Sequence, residues 1–78
     1  MSVIVKPKST EEIILINRKI IELELEVDAK RGKYLVDARS LVGLFSLDFR
    51  DGIELIIYDN NNKDSAMEFI KFLHTFIR

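Results

Sequence analysis

The stretch Leu23-Glu24-Leu25-Glu26-Val27-Asp28 alternates apolar and acidic residues without a break. Successive side chains of a β-strand point to opposite faces, so the stretch predicts a strand with Leu23, Leu25 and Val27 on one face and carboxylates on the other. A strand with one wet face is typical of an antiparallel sheet that is covered on one side only. The stretch therefore predicts a half-covered antiparallel sheet.

Three other segments have the residues of strands. After a short charged link, Ala29 to Gly32, the run Lys33 to Asp37 is again extended, and two extended runs joined in this way predict a β-hairpin. Met1 to Lys6 alternates β-branched and polar residues, and Ile53 to Tyr58 is a short, mostly apolar run. The sequence thus predicts four strands.

Three helices are predicted from their first residues. Ser9 and Glu12 have the spacing of a capping box, in which the serine hydroxyl accepts a backbone N–H and the carboxylate reaches back to another. Ser65 and Glu68 repeat that spacing before the last helix. Ser40 has the residue type of an N-cap, and a helix of about two turns is expected to follow it.

Apolar residues recur at helical spacing behind the first and the last of these caps. Asn17 is an exception, because it lies within the first apolar stripe. The residues predicted to face the core are Ile13, Ile16 and Ile20 in the first helix and Ala66, Phe69, Ile70, Leu73 and Ile77 in the last.

The predicted order, strand-helix-strand-strand-helix-strand-helix, fits two α+β folds. A ferredoxin-like fold needs its second helix to cross the sheet, and about 7 residues at ~1.5 Å each give a short span for that crossing. The other fold places the brief middle helix at the edge of the sheet and leaves room for a third helix. The second arrangement accounts better for the C-terminal helix.

Composition limits the classes of function. The chain has 78 residues, 47% of them hydrophobic, with no cysteine and a net charge of −1. These values predict one domain, residues 1–78, stabilised by apolar burial in a reducing compartment, which we expect to be the cytoplasm. Because the apolar runs are short, no leader opens the sequence and basic residues are interspersed with acidic ones, neither a membrane nor a nucleic acid is an expected partner.

Neither a metal site nor a cofactor is expected. Glu22, Glu24 and Glu26 are the densest carboxylate group, but residues at alternate positions of a strand lie about 7 Å apart in a flat row and do not converge on an ion. A solvated face of the sheet explains them better. Without a self-contained catalytic site, the chain is not expected to be an enzyme.

One segment resembles a known family. Asp37-Ala38-Arg39-Ser40-Leu41-Val42-Gly43-Leu44-Phe45-Ser46-Leu47 is similar to the regulatory-serine segment of the HPr phosphocarriers of the bacterial sugar phosphotransferase system, Asn-Ala-Lys-Ser-Ile-Met-Gly-Leu-Leu-Ser-Leu. The likeness extends from about Leu23 to the C-terminus. It implies the HPr fold, a two-layer open-faced sandwich with a four-stranded antiparallel sheet and three helices on one face.

The departures from the family bear on its chemistry. Members that carry phosphate do so on a histidine in a Gly-x-His-Ala-Arg-Pro loop that opens the first helix, whereas this chain has Lys6-Pro7-Lys8-Ser9-Thr10-Glu11-Glu12 there, without histidine, arginine or glycine. A serine phosphoester lacks the transfer potential of a phosphoramidate, and Glu11 and Glu12 repel phosphate. The sequence therefore contradicts phosphate relay by the usual route.

Ser40 has two interpretations. By resemblance it matches the serine that HPr kinase phosphorylates in Gram-positive bacteria, and a phosphate at a helix N-cap would face free amides. A plain N-cap also explains a serine before a short helix.

Leu41, Val42 and Phe45 are the candidate docking residues. By resemblance they match an apolar patch that contacts enzyme I, the kinase and transcriptional regulators, and an aromatic anchor among polar residues is a frequent hot spot. Alternatively, Leu44 and Leu47 point inward and carry Phe45 halfway with them, as helical periodicity requires.

The expected function is that of an HPr-like regulatory or adaptor protein that docks to other proteins and is switched through Ser40. Two alternatives remain. One is a phosphocarrier with an unconventional acceptor such as His74, the one histidine, which is more simply explained as a helix-flank residue. The other is a structural domain that retains only the fold.

The exposed face of the sheet is a second candidate surface. If the register places Ile4, Leu35, Ile56 and Tyr58 on that face, an apolar patch there supports a dimer. The chain is accordingly expected to be a monomer or a weak homodimer.

Overall fold

The computed structural model describes residues 1–60 and 62–74. Seven elements follow in the predicted order. They are β1 (Ser2–Val5), α1 (Thr10–Glu22), β2 (Glu26–Arg31), β3 (Tyr34–Asp37), α2 (Leu41–Phe45), β4 (Ile53–Tyr58) and α3 (Lys63–Leu73).

The strands form one antiparallel sheet in the order β1-β4-β2-β3. Alternate residues of each strand face the helices, as in the row Val3, Leu55, Ala29 and Val36. The apolar stripes of α1 and α3 cover this face with Ile13, Ile16, Ile20, Ala66, Phe69 and Leu73, all fully buried. The predicted half-covered sheet is confirmed, and the predicted stripe residue Ile77 lies outside the described residues.

The boundaries of β2 differ from the predicted ones. The strand begins at Glu26 rather than Leu23, because α1 continues through Glu22 and ends in a Schellman motif. In that motif Leu25 N donates to Ile20 O and Glu24 N donates to Ile21 O, both at 3.1 Å. Glu24 takes the left-handed position with φ 54°, so the acidic alternation starts within a helix cap.

The link predicted from Ala29 to Gly32 is mostly strand. Ala29 is buried on the core face two residues after Val27, and pairing with β3 continues to Arg31. The loop is therefore the two residues Gly32 and Lys33, with Gly32 at φ 60°. A glycine with positive φ at the first of two loop residues is typical of a tight hairpin turn.

The helix caps agree with prediction in two of three cases. The Ser9 hydroxyl accepts from Glu12 N at 3.3 Å, and the Ser40 hydroxyl accepts from Gly43 N at 3.1 Å. The third cap was wrong: α3 begins at Lys63 after Asn62, whose carbonyl accepts from Ala66 N, so Ser65 lies inside the first turn. Within residues 1–60 and 62–74, no helix combines the length and the apolar character needed to cross a bilayer.

Asn17 occupies the core side of α1 and is buried, at 6% exposure. Its side-chain amide donates to Ala38 O at 3.0 Å, across 21 residues of sequence. Ala38 is fully buried and lies three residues before Leu41, the first residue of α2. The polar interruption of the apolar stripe therefore fixes the segment that leads into α2.

Replacing Asn17 with leucine should lower the free energy of unfolding by about 1–3 kcal/mol, because leucine has the same number of side-chain heavy atoms but leaves a buried carbonyl without its donor. Urea denaturation monitored by circular dichroism measures the change. Arg18→Ala, on the exposed side of the same helix, should stay within about 0.5 kcal/mol of the wild type. Equal stabilities of the two variants would show that the Asn17 bond contributes little.

Candidate functional site

The short helix α2 has one buried and one exposed side. Leu44 is 1% exposed and Leu47 is buried just beyond the helix, whereas Val42 is 82% and Phe45 is 43% exposed. Leu41 is partly buried and packs against the core. Val42 and Phe45 are three residues apart and so lie on one outer surface, with Leu41 at its inner border.

Ser40 fixes the start of α2. Its hydroxyl is exposed and accepts from Gly43 N, while its carbonyl accepts from Leu44 N at 3.0 Å. A Cβ at Gly43 would lie 3.3 Å from the Ser40 hydroxyl oxygen and 3.4 Å from Val36 Cβ. These distances are tight, so a side chain at position 43 would have to displace the Ser40 hydroxyl or Val36 by a few tenths of an ångström.

A carboxylate and a guanidinium flank Ser40. Asp37 accepts from the backbone N–H of Arg39 at 2.9 Å and from both the Nε and an Nη of its guanidinium. These hydrogen bonds hold the pKa of Asp37 below its usual value. Asp28 lies directly across the strands from Asp37, so Arg39 also offsets a repulsion between two carboxylates.

A shallow groove adjoins α2, and the sequence analysis did not identify it. It is lined by the hairpin residues Tyr34 and Val36 on one side and by Ser46 and Asp48 on the other. Tyr34 is 64% exposed, although Val36, two residues further along the same strand, packs against the core. The feature of the sequence that could have indicated this groove is the position of Tyr34 in β3, directly after the hairpin loop.

The turn after α2 is held by Asp48. Its carboxylate accepts from Arg50 N at 3.2 Å and from the Arg50 guanidinium at 3.0 Å. These bonds lower the pKa of Asp48 to about 2. Asp48 therefore stays ionised and keeps the turn closed at the border of the groove.

The amino end of α1 is capped by the chain's own oxygens. The Ser9 hydroxyl accepts from Glu12 N at 3.3 Å, and the Glu12 carboxylate accepts from Lys8 N at 2.8 Å. The carboxylate thus lies beside the helix end, where an anion would otherwise be favoured. From its sequence position Glu12 is expected to repel phosphate, and in the structure it also holds the backbone just before the helix.

His74 is the C-cap residue of α3, the last helix. Its backbone N–H donates to Ile70 O and Lys71 O, and its side chain is exposed. Among residues 1–60 and 62–74, no hydrogen bond or ion pair reaches its imidazole from Lys6 or Lys8. Thr75 and Phe76, its neighbours in sequence, lie outside the described residues.

Lys19, in the carboxyl-terminal half of α1, contacts α3. The ammonium of Lys19 lies 3.3 Å from the Glu68 carboxylate and 5.8 Å from the ring centroid of Phe72. Lys19 is ten residues after Ser9, which corresponds to about 15 Å along a helix. These contacts therefore anchor α3 well away from the tip of α1.

Comparison with solved structures identifies the fold. The crystal structure of HPr-C-His from Thermoanaerobacter tengcongensis superposes on this chain with a TM-score of 0.75, over 96% of this chain and 92% of that chain. The sequence identity is 12%. The chain has the HPr-like fold, and at this identity the similarity establishes the fold alone. No protein-family model and no curated protein matches the sequence.

Replacing Arg39 with glutamine should raise the pKa of Asp37 towards its ordinary value, because the charged side-chain hydrogen bonds from Arg39 are lost while the backbone hydrogen bond remains. Since the pKa of Asp37 is lowered in the folded state, its contribution to stability is present at neutral pH and is lost as the pH falls below about 4. NMR titration of the carboxyl carbon measures the pKa.

The matched control for this titration is Arg50→Gln. It should raise the pKa of Asp48 from about 2 towards the ordinary value and leave Asp37 unchanged. A pKa of Asp37 that does not move in Arg39→Gln would show that backbone hydrogen bonds alone hold the carboxylate ionised.

Proposed function

We propose that this chain is an HPr-like adaptor or regulatory protein that docks to other proteins and does not relay phosphate. The observation that carries the proposal is the amino end of α1, where Ser9 and Glu12 form a cap in the segment that, by resemblance, would carry the phosphorylated histidine. Phosphoryl relay requires a nitrogen acceptor with donors around it. Docking requires only an exposed, well-fixed surface.

The docking surface is Leu41, Val42 and Phe45. Val42 and Phe45 expose apolar area on a helix whose other side is buried, and the Ser40 cap and Gly43 hold the backbone in place. Partner binding to such a surface costs little ordering entropy. Arg39, Ser46, Asp48 and Arg50 supply a polar rim, which is the usual surrounding of an apolar anchor.

Ser40 is the switch of this surface. Its hydroxyl is exposed and next to the surface, and the Arg39 guanidinium is close by on Asp37. A phosphate on Ser40 adds about two negative charges and competes with Asp37 for Arg39. The added charge on Ser40 and the new position of Arg39, both at the polar rim of the docking surface, change which partner binds.

The expected partners are proteins of the bacterial phosphotransferase system and its regulation, by resemblance an HPr kinase, enzyme I or a transcriptional regulator. Two features of α2 support this choice over a purely structural role. Val42, at 82% exposure, and Phe45, at 43% exposure, form an exposed apolar patch, and a helix with only a structural role does not need such a patch. The adjoining groove between the hairpin and Ser46 extends the surface that a partner can cover.

Phe45→Ala and Val42→Glu should each weaken partner binding by at least about tenfold, because hot-spot side chains contribute 2 kcal/mol or more. Partners captured from a bacterial lysate by the wild type are identified by mass spectrometry, and their affinities are then measured with purified proteins. Ser40→Asp should shift the set of captured partners.

The matched control is Met67→Ala on α3, which removes a 53% exposed apolar side chain away from α2. It should bind as the wild type does, and all variants should melt within a few degrees of it. Partners that bind Phe45→Ala and Val42→Glu unchanged would contradict the docking surface.

Phosphate on this protein should be an acid-stable ester on Ser40. HPr kinase with ATP should label the wild type and Ser46→Ala equally and leave Ser40→Ala unlabelled. Enzyme I with labelled phosphoenolpyruvate should transfer no phosphate, because α1 presents no imidazole at its tip.

His74→Ala is the control for the alternative, a phosphocarrier with an unconventional acceptor. Acid-labile label from enzyme I that disappears in His74→Ala would overturn the proposal and assign phosphate relay to the end of α3. Labelling of Ser46 by the kinase would move the switch to the other end of α2.

A further inference from the structure

The sheet face that the helices leave open has an ordered pattern of side chains. One row across the four strands consists of Ile4, Glu54, Lys30 and Leu35, in the sheet order β1-β4-β2-β3. Ile4 is 64% and Leu35 is 57% exposed. Among residues 1–60 and 62–74, neither Lys30 nor Glu54 has a partner in an ion pair.

This row is complementary to itself. Its order is apolar, acidic, basic, apolar, and the middle of the sheet lies between Glu54 on β4 and Lys30 on β2. Consider a second copy related by a twofold axis that runs parallel to the strands and lies between the two facing sheets. The same row of the second copy then faces the first row in the reverse order. Glu54 then faces Lys30 of a second copy, twice, and Ile4 faces Leu35 of that copy, twice.

We propose that the open face of the sheet binds a second copy of this chain, as a twofold, face-to-face dimer of sheets. Charge complementarity selects this occupant: a partner with a surface of one sign would meet a like charge at either Glu54 or Lys30, whereas the second copy pairs both. The two apolar pairs flank the charged centre and remove Ile4 and Leu35 from water.

The neighbouring rows limit the affinity of the dimer. Ser2, Ile56, Asp28 and Asp37 form the next row, and the twofold axis brings Ile56 opposite Asp28 of the second copy. This contact costs free energy, because a carboxylate loses water against an apolar side chain. Asp28 is already bonded to the Tyr58 hydroxyl at 3.1 Å, and Asp37 to Arg39. Their charges are therefore partly satisfied within each copy.

The size of the face also predicts weak association. Four strands spaced about 4.8 Å apart, with about 3.4 Å per residue over six residues, give a face of roughly 20 × 20 Å. Two such faces bury roughly 800 Å², below the range of stable complexes. Sheets also pack at about 30° to each other, so the central charged pairs align best and the outer apolar pairs shift by about one residue. The dimer is accordingly populated only at high protein concentration.

The test exchanges the two central charges one at a time. Glu54→Lys and Lys30→Glu should each weaken self-association by about tenfold or more, because each variant places like charges opposite each other twice. An equimolar mixture of the two variants should recover dimers, since every facing pair is then of opposite sign. Sedimentation equilibrium between about 10 µM and 1 mM measures all three.

The mixture separates the dimer from effects within one chain. Glu54 and Lys30 are also cross-strand neighbours in the same copy, so a single exchange can lower stability by itself. Mixing the two variants cannot restore stability lost within one chain. It can remove the charge repulsion between two copies. Lys63→Glu at the start of α3, which changes the charge on the helical side, should dimerise as the wild type does.

Two results would overturn the inference: a wild type that stays monomeric throughout the concentration range, or single variants whose mixture associates no better than either alone. The inference is independent of the docking surface on α2. Val42→Glu and Phe45→Ala should keep the dimer, so loss of partner binding and loss of dimerisation are distinguishable.

Discussion

One buried hydrogen bond, from the Asn17 side chain to Ala38 O, determines where the candidate site lies. It joins the core side of α1 to the segment that leads into α2. From that fixed point, Ser40 caps the helix and Leu44 turns inward. Because the helix cannot rotate, Val42 and Phe45 stay exposed. The position of the apolar surface thus depends on Asn17, a polar residue in the core. A shift of α2 would break this hydrogen bond and leave the Ala38 carbonyl without a donor, which costs free energy.

The same reasoning applies to the amino end of α1, which the chain caps with its own oxygens. A helix end offers free N–H donors and a favourable dipole to an anion. Here the Ser9 hydroxyl accepts from Glu12 N, which is one of these donors, and the Glu12 carboxylate accepts from Lys8 N just before the helix. The residues that cap the helix therefore also place a negative charge beside its end, and this charge opposes a second anion there.

The sequence was sufficient for the order of the elements and for the core stripes, because period-two and helical periodicity are local. It placed β2 three residues early, since an alternating stretch can begin inside a helix cap when a residue such as Glu24 adopts a left-handed conformation. Ser65 has the right spacing for a capping box, but the helix has already started at Lys63, after Asn62 as its N-cap residue. The role of Asn17 and the groove beside Tyr34 depend on contacts across many residues, which no local pattern encodes.

The two exposed surfaces lie on opposite layers of the molecule, and this separation has a physical consequence. Val42 and Phe45 are on the helical layer, while Ile4 and Leu35 are on the bare side of the sheet. A dimer joined through its sheets would leave both copies of α2 pointing outward. Two equal docking surfaces in one particle bind a partner with two sites more tightly than one surface does, provided that the spacing matches. Weak self-association would then make partner binding depend on the concentration of the chain itself, without any change in the docking residues.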